Sequence, residues 1–240
     1  MIHWLKAFIY TILPPRCLLC GKVIHSDNSL CSDCFSNINF ITKPYCKHCG
    51  FPLSEFETDS LYCLTCLSKK SPFRLSRSAV KYDNFSKKLI LDFKFSDRLE
   101  NKTLLAHWLF VAGEDIFNQG IDVIIPVPLH YARLFKRKYN QSAVLAAELS
   151  KLCHRPVDYK VLRKIKHTTP QIECSGKQRS RNVKNAFQII SPEKIKGKRI
   201  VLIDDVFTTG ATLTECAKAL KCAGAKSVDT LTVARVCSSG

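Results

Sequence analysis

A chain of 240 residues is long enough for one good core plus a small module, or for two modest domains, and its 46% hydrophobic content without low-complexity tracts excludes a disordered protein. No apolar stretch reaches the roughly 20 residues that a membrane-spanning helix needs. The formal charge of +17 points to polyanionic partners, either a phosphorylated small molecule, a nucleic acid or both. Residues 1–70 carry seven Lys/Arg against five Asp/Glu and residues 71–240 thirty against fifteen, so the basic surface belongs to the larger part.

The run Ile2 to Leu13 is apolar but short, contains His3 and Lys6, and stops at Pro14-Pro15 without a small-residue cleavage site. It reads as a short helix packed on its own domain rather than a signal peptide, with a peripheral membrane contact as the alternative. A cytoplasmic location is expected.

Eight of the thirteen cysteines form four Cys-x-x-Cys pairs: Cys17/Cys20, Cys31/Cys34, Cys46/Cys49 and Cys63/Cys66. Two intervening residues let a tight knuckle aim both sulfurs at one ion, and two knuckles complete a tetrahedron, so the expected ligand is zinc rather than a disulfide partner. Gly21 and Gly50 follow the first and third pairs, where a knuckle commonly needs positive φ, and Cys-x-x-Cys-Gly recurs at a period of 29. That suggests two units in series, Cys17, Cys20, Cys31 and Cys34 on one zinc and Cys46, Cys49, Cys63 and Cys66 on the other, with interleaved pairing as the alternative. Four thiolates close each site, which makes both ions structural. Eight thiolates contribute −8 and two ions +4, taking +17 to +13, so the protein stays basic. His48, inside the third knuckle, is expected to be a solvated turn residue. Cys153, Cys174, Cys216, Cys222 and Cys237 read as small buried hydrophobes. The zinc module spans residues 1–70 and the second domain residues 71–240.

Beyond residue 72 the pattern predicts a strand over Ser78 to Tyr82, helices near Phe85–Phe95 and Thr103–Phe117, and a strand over Ile121 to Ile125. A helix follows over Asn140 to Leu152, with Leu145, Leu149 and Leu152 on one face. This alternation predicts an α/β fold with a parallel sheet. Pro126-Val127-Pro128-Leu129-His130 ends a strand at the carboxyl rim, where such sheets bind ligands, and makes Pro128 a candidate contact. Arg133, Lys136, Arg137 and Lys138 form a dense cluster with Phe135 and Tyr139 as stacking faces, a combination that suits single-stranded nucleic acid. A charged helix start with buried aromatics is the other reading. The basic segment from Arg163 to Gln171, continuing through Lys177, Arg179 and Arg181, could close over a pyrophosphate, with Lys166 and Arg179 as its cations; a solvated loop is the alternative.

Val201 to Ile203 form a short apolar run of the kind a buried parallel strand shows, and Leu213, Cys216, Ala217 and Leu220 recur at helical spacing. Between them lie Asp204-Asp205, ending the strand, and the loop Thr208-Thr209-Gly210-Ala211-Thr212. Its backbone N–H groups and three hydroxyls would face an anion on the helix N-terminus, and Gly210 lets the backbone come close. Paired carboxylates suit vicinal hydroxyls, which need acceptors. The ligand implied is a ribose 5-phosphate group; a buried strand followed by an Asp-capped helix is the bland reading.

This segment resembles the signature of the type I phosphoribosyltransferases, in which two acidic residues bind the ribose hydroxyls and a threonine-rich loop binds the 5′-phosphate. The resemblance implies Asp204 and Asp205 as ribose ligands at the catalytic position and Thr208, Thr209, Gly210, Ala211 and Thr212 as the phosphate loop. A wider set of motifs resembles the ComF family of competence-associated proteins. These are the cysteine knuckles, Pro-Val-Pro-Leu-His, Asn140-Gln141, Thr168 with Gln171, Arg179-x-x-Asn182-Val183-x-x-Ala186-Phe187 and Asp-Asp-Val-x-Thr-Thr-Gly, in this order over nearly the whole chain. That resemblance implies a phosphoribosyltransferase-like domain behind a double zinc ribbon, acting in natural transformation by handling incoming single strands. Two departures stand out. The family usually has glycine where this chain has Lys138, which puts any positive-φ turn there in doubt, and Cys174 stands where leucine is common.

The favoured reading is an accessory DNA-uptake protein that binds single-stranded DNA and a phosphoribosyl ligand. The alternative is a working phosphoribosyltransferase that moves phosphoribose from phosphoribosyl pyrophosphate to a nucleobase-like acceptor. Mg²⁺ would bridge the pyrophosphate, and Lys166 or Arg179 would neutralise the leaving group. The donor site is legible; no acceptor site is. A third reading makes the zinc units a docking surface for a helicase or another uptake protein.

Overall fold

In the computed structural model, residues 10, 13–54, 61–69, 71–95, 100–131, 134, 138–166 and 185–237 are described. Their strands are β1 (Ser76–Lys81), β2 (Val123–Pro126), β3 (Leu162–Lys164), β4 (Phe187–Ile189), β5 (Arg199–Phe207) and β6 (Ser227–Arg235). The helices are α1 (Ser32–Ser36), α2 (Leu64–Ser68), α3 (Asn84–Phe95), α4 (Asn101–Ala112), α5 (Glu114–Asn118), α6 (Gln141–Cys153) and α7 (Ala211–Cys222). Four strands form one all-parallel sheet in the order β1-β6-β5-β2, and β3 and β4 form a separate antiparallel pair. The α/β parallel-sheet expectation holds.

Alternation along β5 builds the layers. Val201 and Ile203 face the cluster that holds Leu105 and Leu109 of α4 and Leu145 and Leu149 of α6, while Ile200 and Leu202 face Leu213, Cys216, Ala217 and Leu220 of α7. Both faces are thus covered by helices, as parallel strands require. Each fully buried Leu or Ile contributes roughly 1.5–3 kcal/mol of transfer free energy, so these side chains hold the sheet. The single helix expected over Thr103–Phe117 is two, broken at Gly113, which ends α4 and donates to the Leu109 carbonyl.

β6 has no counterpart among the predicted strands although it lies between β1 and β5. Its apolar residues are interrupted by Asp229, Thr230 and Thr232, which read as solvent-facing yet are fully buried. Asp229 accepts Arg74 Nε at 3.0 Å, Arg74 Nη2 at 2.6 Å and the Leu75 amide at 3.0 Å, and Thr232 meets Ser78 across the pair at 2.6 Å. Paired in this way, polar groups are tolerated in a core; leaving Asp229 without Arg74 would cost about 3–5 kcal/mol.

The cysteine-rich segment is packed onto this sheet at two places. Residues 39–41 lie antiparallel to β1, with the Ile41 amide on the Ala79 carbonyl at 2.9 Å and the Lys81 amide on the Asn39 carbonyl at 2.8 Å, and so cover the sheet's open edge. Phe40 meets Trp108 of α4 edge-on at 5.1 Å, and Cys17, Leu18, Cys31, Cys34 and Ile38 belong to the same apolar cluster as α4 and α6. At the second place the knuckle around Gly50 sits on β1. Gly50 has φ +68°, and a Cβ there would lie 2.7 Å from the Ser76 carbonyl oxygen, so only glycine fits. The N-terminal helix expected over Ile2–Leu13 lies almost entirely outside the described residues.

Lys138, where the resemblance noted above implies glycine, adopts φ +63°. The left-handed turn is therefore kept although the residue is not suited to it, at a cost of about 1–2 kcal/mol. Lys138→Gly is expected to stabilise the protein by about 1 kcal/mol, raising the thermal midpoint by roughly 2–4 °C in a chain of this size. A lowered midpoint would show that contacts of the lysine side chain outweigh the backbone strain.

Candidate functional site

Asp204 and Asp205 lie inside β5 rather than at its end. The strand continues to Phe207 because β6 continues to pair with it, Asp204 standing opposite Thr232 and Phe207 opposite Arg235. On the other side Pro126 pairs with Ile203, and the Val127 amide donates to the Ile203 carbonyl at 2.9 Å. The acidic pair and the Pro126–His130 loop therefore share one stretch of the carboxyl rim, as expected.

Asp204 Oδ1 accepts Ser142 Oγ and the Asp205 amide, each at 3.0 Å. Burial, reinforced by the neighbouring Asp205 carboxylate, pushes the Asp204 carboxyl up to about 7. Lys94, at the end of α3, places Nζ 2.8 Å from Asp205 Oδ2, and both side chains are only 16% exposed. The pair is thus an acceptor-rich surface with one cation at its side, suited to a diol whose hydroxyls donate. Neither Ser142 nor Lys94 was among the sequence candidates. Ser142 follows the quoted Asn140-Gln141 by one residue, whereas Lys94 carries no local signal, because a lysine in the last turn of a helix ordinarily points to water.

The turn before α6 explains why these groups meet. Asn140 caps α6 by accepting the Ser142 amide at 3.1 Å and donates to the Val127 carbonyl at 3.0 Å, tying helix to rim loop. Gln141 Nε2 donates to the Lys94 carbonyl at 3.3 Å, and the Tyr139 hydroxyl donates to the Phe93 carbonyl. One four-residue turn thus fixes α3, β2 and Asp204 together. Tyr139 is held in this role, half-buried with its ring edge-on to Phe93 at 6.3 Å, which agrees with the alternative reading of packed aromatics at a charged helix start.

Thr208 and Thr209 are exposed, Ala211 and Thr212 half-buried, and Gly210 is buried with φ +71°. Gly210 caps α7 and presses on Phe207: a Cβ there would lie 2.5 Å from the ring's Cζ. The Thr214 amide binds the Gly210 carbonyl at 2.8 Å and the Ala211 amide the Thr209 hydroxyl oxygen at 3.4 Å, so this twelve-residue helix starts against the loop, and a helix start of this kind favours an anion.

Beside the rim lies a cleft of about 310 Å³ whose lining includes Pro126, Pro128, Leu129, Asn140, Tyr159 and Leu162. Pro128 is thus placed at the rim. Lys166 is exposed just beyond β3, and the β3–β4 pair brackets residues 167–184, which lie outside the described residues together with Arg179, Lys177, Arg181, Thr168 and Gln171. Arg133, Lys136 and Arg137 also lie outside them, so of the proposed nucleic-acid cluster only Lys138 is placed, exposed on its left-handed turn.

The eight knuckle cysteines gather in series: Cys17, Cys20, Cys31 and Cys34 in one group, Cys46, Cys49, Cys63 and Cys66 in the other, with all sulfurs in a group within 4.8 Å of one another. Four sulfurs about 2.3 Å from a central zinc in a tetrahedron stand roughly 3.8 Å apart. The Cys20–Cys31 and Cys49–Cys63 sulfurs are 3.7 and 3.6 Å apart, far beyond a disulfide and right for a shared ion. The donor sets fit zinc. Gly21 and Gly50 donate to the Cys17 and Cys46 carbonyls at 2.9 Å, closing the knuckles as expected. His48 is a correction: it is half-buried, stacked on Phe73 at 5.6 Å, with Nδ1 3.4 Å from Cys66 Sγ and Nε2 3.0 Å from the Phe73 carbonyl oxygen. Of the scattered cysteines Cys216 is buried, whereas Cys222, at the end of α7, is exposed, contrary to expectation; Cys174 lies outside the described residues.

The comparisons agree with this architecture. A double zinc ribbon domain model matches residues 8–67 and a phosphoribosyl transferase domain model residues 102–239. Competence protein F of Haemophilus influenzae is 34% identical over 92% of this chain and 96% of its own. DNA utilization protein YhgH of Escherichia coli K12 is 33% identical over 90% of this chain and 95% of its own, and Competence protein ComFC of Bacillus subtilis 26% identical over 91% and 94%. Matched by both domain models in the order its cysteine tetrads and parallel sheet require, and by relatives over nearly its whole length, the chain belongs to the competence protein F (ComF) family.

Proposed function

We propose that the protein is an accessory factor in DNA uptake that works in the cytoplasm and binds single-stranded DNA together with a phosphoribosyl ligand such as phosphoribosyl pyrophosphate. The observation that carries the ligand is the adjacency of Asp204 and Asp205 to the open start of α7: acceptors for two hydroxyls stand beside a helix terminus for a phosphate. The relatives' names, competence and DNA utilization, support the biological setting, and the +15 excess of residues 71–240 supports a polyanionic partner. Thr208 to Thr212 would hold the 5′-phosphate, and Lys166 and Arg179 the pyrophosphate. Any Mg²⁺ would arrive with that pyrophosphate, since the multi-ligand metal groups among the described residues are the two cysteine tetrads. A helicase or other uptake protein would dock on the second ribbon, which exposes Leu61, Tyr62, Leu64 and Leu67.

The cleft along the Pro126–Leu129 stretch of the rim favours one further reading, an active transferase. It is large enough for a nucleobase, and Tyr159, half-exposed on its wall, offers a ring for stacking. Pyrophosphate released from phosphoribosyl pyrophosphate on addition of a free base would establish turnover; binding without release assigns the site to an accessory role.

Calorimetry with phosphoribosyl pyrophosphate and Mg²⁺ should show binding that Asp204→Asn and Asp205→Asn each weaken by roughly 10- to 100-fold, because an amide puts donors where hydroxyls need acceptors. Unchanged affinity in both variants would remove the ribose assignment. Binding of an oligonucleotide single strand should fall with salt, at a log–log slope of about −0.7 per phosphate contact. Neutralising Arg133, Lys136, Arg137 and Lys138 should flatten that slope, and salt-independent binding would sink the DNA reading. Metal analysis of the purified chain should find two zinc ions, one per tetrad.

A further inference from the structure

The second cysteine tetrad and the phosphate loop are joined through one aromatic ring. Phe207, the last residue of β5, lies between Thr208 of the loop and its own cross-strand partner, Arg235, the last residue of β6. The Arg235 guanidinium, on a side chain in a residue only 8% exposed, sits 4.1 Å from the centre of the Phe207 ring and 5.4 Å from that of Phe51. From there Nη1 donates to the Cys49 carbonyl at 2.8 Å and Nη2 reaches the Cys49 sulfur at 3.7 Å. On its other side the same ring fills the space that a side chain at Gly210 would need. A second route starts at another sulfur of the same tetrad: Cys66 touches His48, His48 stacks on Phe73, and Phe73 meets Phe207 edge-on at 6.4 Å.

The neighbouring carbonyls of the same knuckle are held as firmly. Arg77, also buried, donates to Lys47 and His48 carbonyls at 2.9 and 3.4 Å while anchored on Asp115 at 2.6 Å, and the Ser76 amide takes the His48 carbonyl at 2.9 Å. Three successive knuckle carbonyls thus point at β1 and β6. Among the described residues the first tetrad has no such connection. Its buried members, Cys17, Cys31 and Cys34, pack in the α4/α6 cluster, whereas Phe73 and Phe207 belong to the cluster on the opposite face.

We infer that Arg235 is a positioning residue that couples metal occupancy of the Cys46/Cys49/Cys63/Cys66 tetrad to the conformation of the Thr208–Thr212 loop, so that zinc and the phosphoribosyl ligand bind cooperatively. The physical cause is pre-organisation. A metal-bound Cys49 fixes the carbonyl and sulfur that Arg235 needs; Arg235 then clamps Phe207, and Phe207 holds Gly210 in the left-handed turn that opens the start of α7. When the knuckle is released, a buried guanidinium loses its acceptor and moves, the ring loses its cover, and ordering the loop must be supplied at the moment of ligand binding. The ligand half of this coupling rests on the phosphoribosyl reading above; the loop half does not.

Zinc-loaded full-length protein is compared as wild type, Arg235→Met, Arg235→Lys and Phe40→Leu, the last loosening the first ribbon's packing as a control. Amide hydrogen exchange should quicken at residues 207–214 in Arg235→Met, less so in Arg235→Lys, and stay at the wild-type rate there in Phe40→Leu even if its thermal midpoint drops. Phosphoribosyl pyrophosphate affinity should fall roughly tenfold in Arg235→Met, within the usual range of coupling between two sites, and chelator competition should show the ligand raising the zinc affinity of one of the two tetrads by the same factor in wild type. Unchanged exchange at 207–214 in Arg235→Met and in zinc-stripped wild type would overturn the coupling. Should Arg235→Met fail to fold, Arg235→Lys and the stripped wild type decide by the same exchange readout. If wild-type protein binds no phosphoribosyl pyrophosphate, the ligand reading falls, while the exchange comparison still decides whether tetrad and loop are linked.

Discussion

The parallel pairing of β5 with β6 is the interaction on which the rest of this molecule depends. β6 carries β5 past the acidic pair to Phe207, so that Asp204 and Asp205 project from a strand still paired on its β6 side and the loop starts from a paired residue. The same strand brings Asp229 to Arg74, Thr232 to Ser78 and Arg235 to Cys49. It therefore holds together the core, the sheet's first strand and the metal module. Placing polar and charged groups in so central a strand is expensive unless they find partners, and those of Asp229 and Thr232 lie on other elements, which makes their arrangement specific as well as stable.

The cysteine module is part of the fold rather than an appendage. Its first unit shares a hydrophobic cluster with α4 and α6 and shields the outer edge of β1; its second is pinned by two buried arginines to the ends of β1 and β6. In such a protein a structural metal does more than keep its own loops folded. The Cys46–Cys49 knuckle sets the direction of carbonyls that Arg77 and Arg235 use as acceptors, so order there can reach the rim through hydrogen bonds and ring contacts.

At the rim itself polar and charged groups are gathered around the acidic pair. Asp204 is half-buried next to a second carboxyl, with a serine hydroxyl and an amide on one oxygen and a lysine beside its neighbour. Such a cluster stores unfavourable electrostatics that a hydroxyl-rich ligand relieves, and perturbed carboxyls of this kind gather where a protein binds or reacts. The same rim also borders a cleft lined by Tyr159 and the Pro126–Leu129 stretch, with Lys160 and Arg163 on its wall.

By itself the sequence determined the metal ligands and their pairing in series, the α/β class, β5, α7 and the loop between them, and the Pro126–His130 rim, because each of these rests on signals between near neighbours: cysteine spacing, apolar periodicity, a glycine at a turn. It left β6 hidden, since buried Asp229, Thr230 and Thr232 look like a surface pattern until Arg74 and Ser78 arrive from more than 150 residues away. It gave no sign of Lys94 beside Asp205, of Ser142 on Asp204 or of His48 against Phe73, and it left Tyr139 open between a stacking face and a packed ring. Only the tertiary structure decided these, because which charge stands beside which carboxylate, and which ring covers which glycine, is set by contacts between segments whose meeting no local pattern encodes.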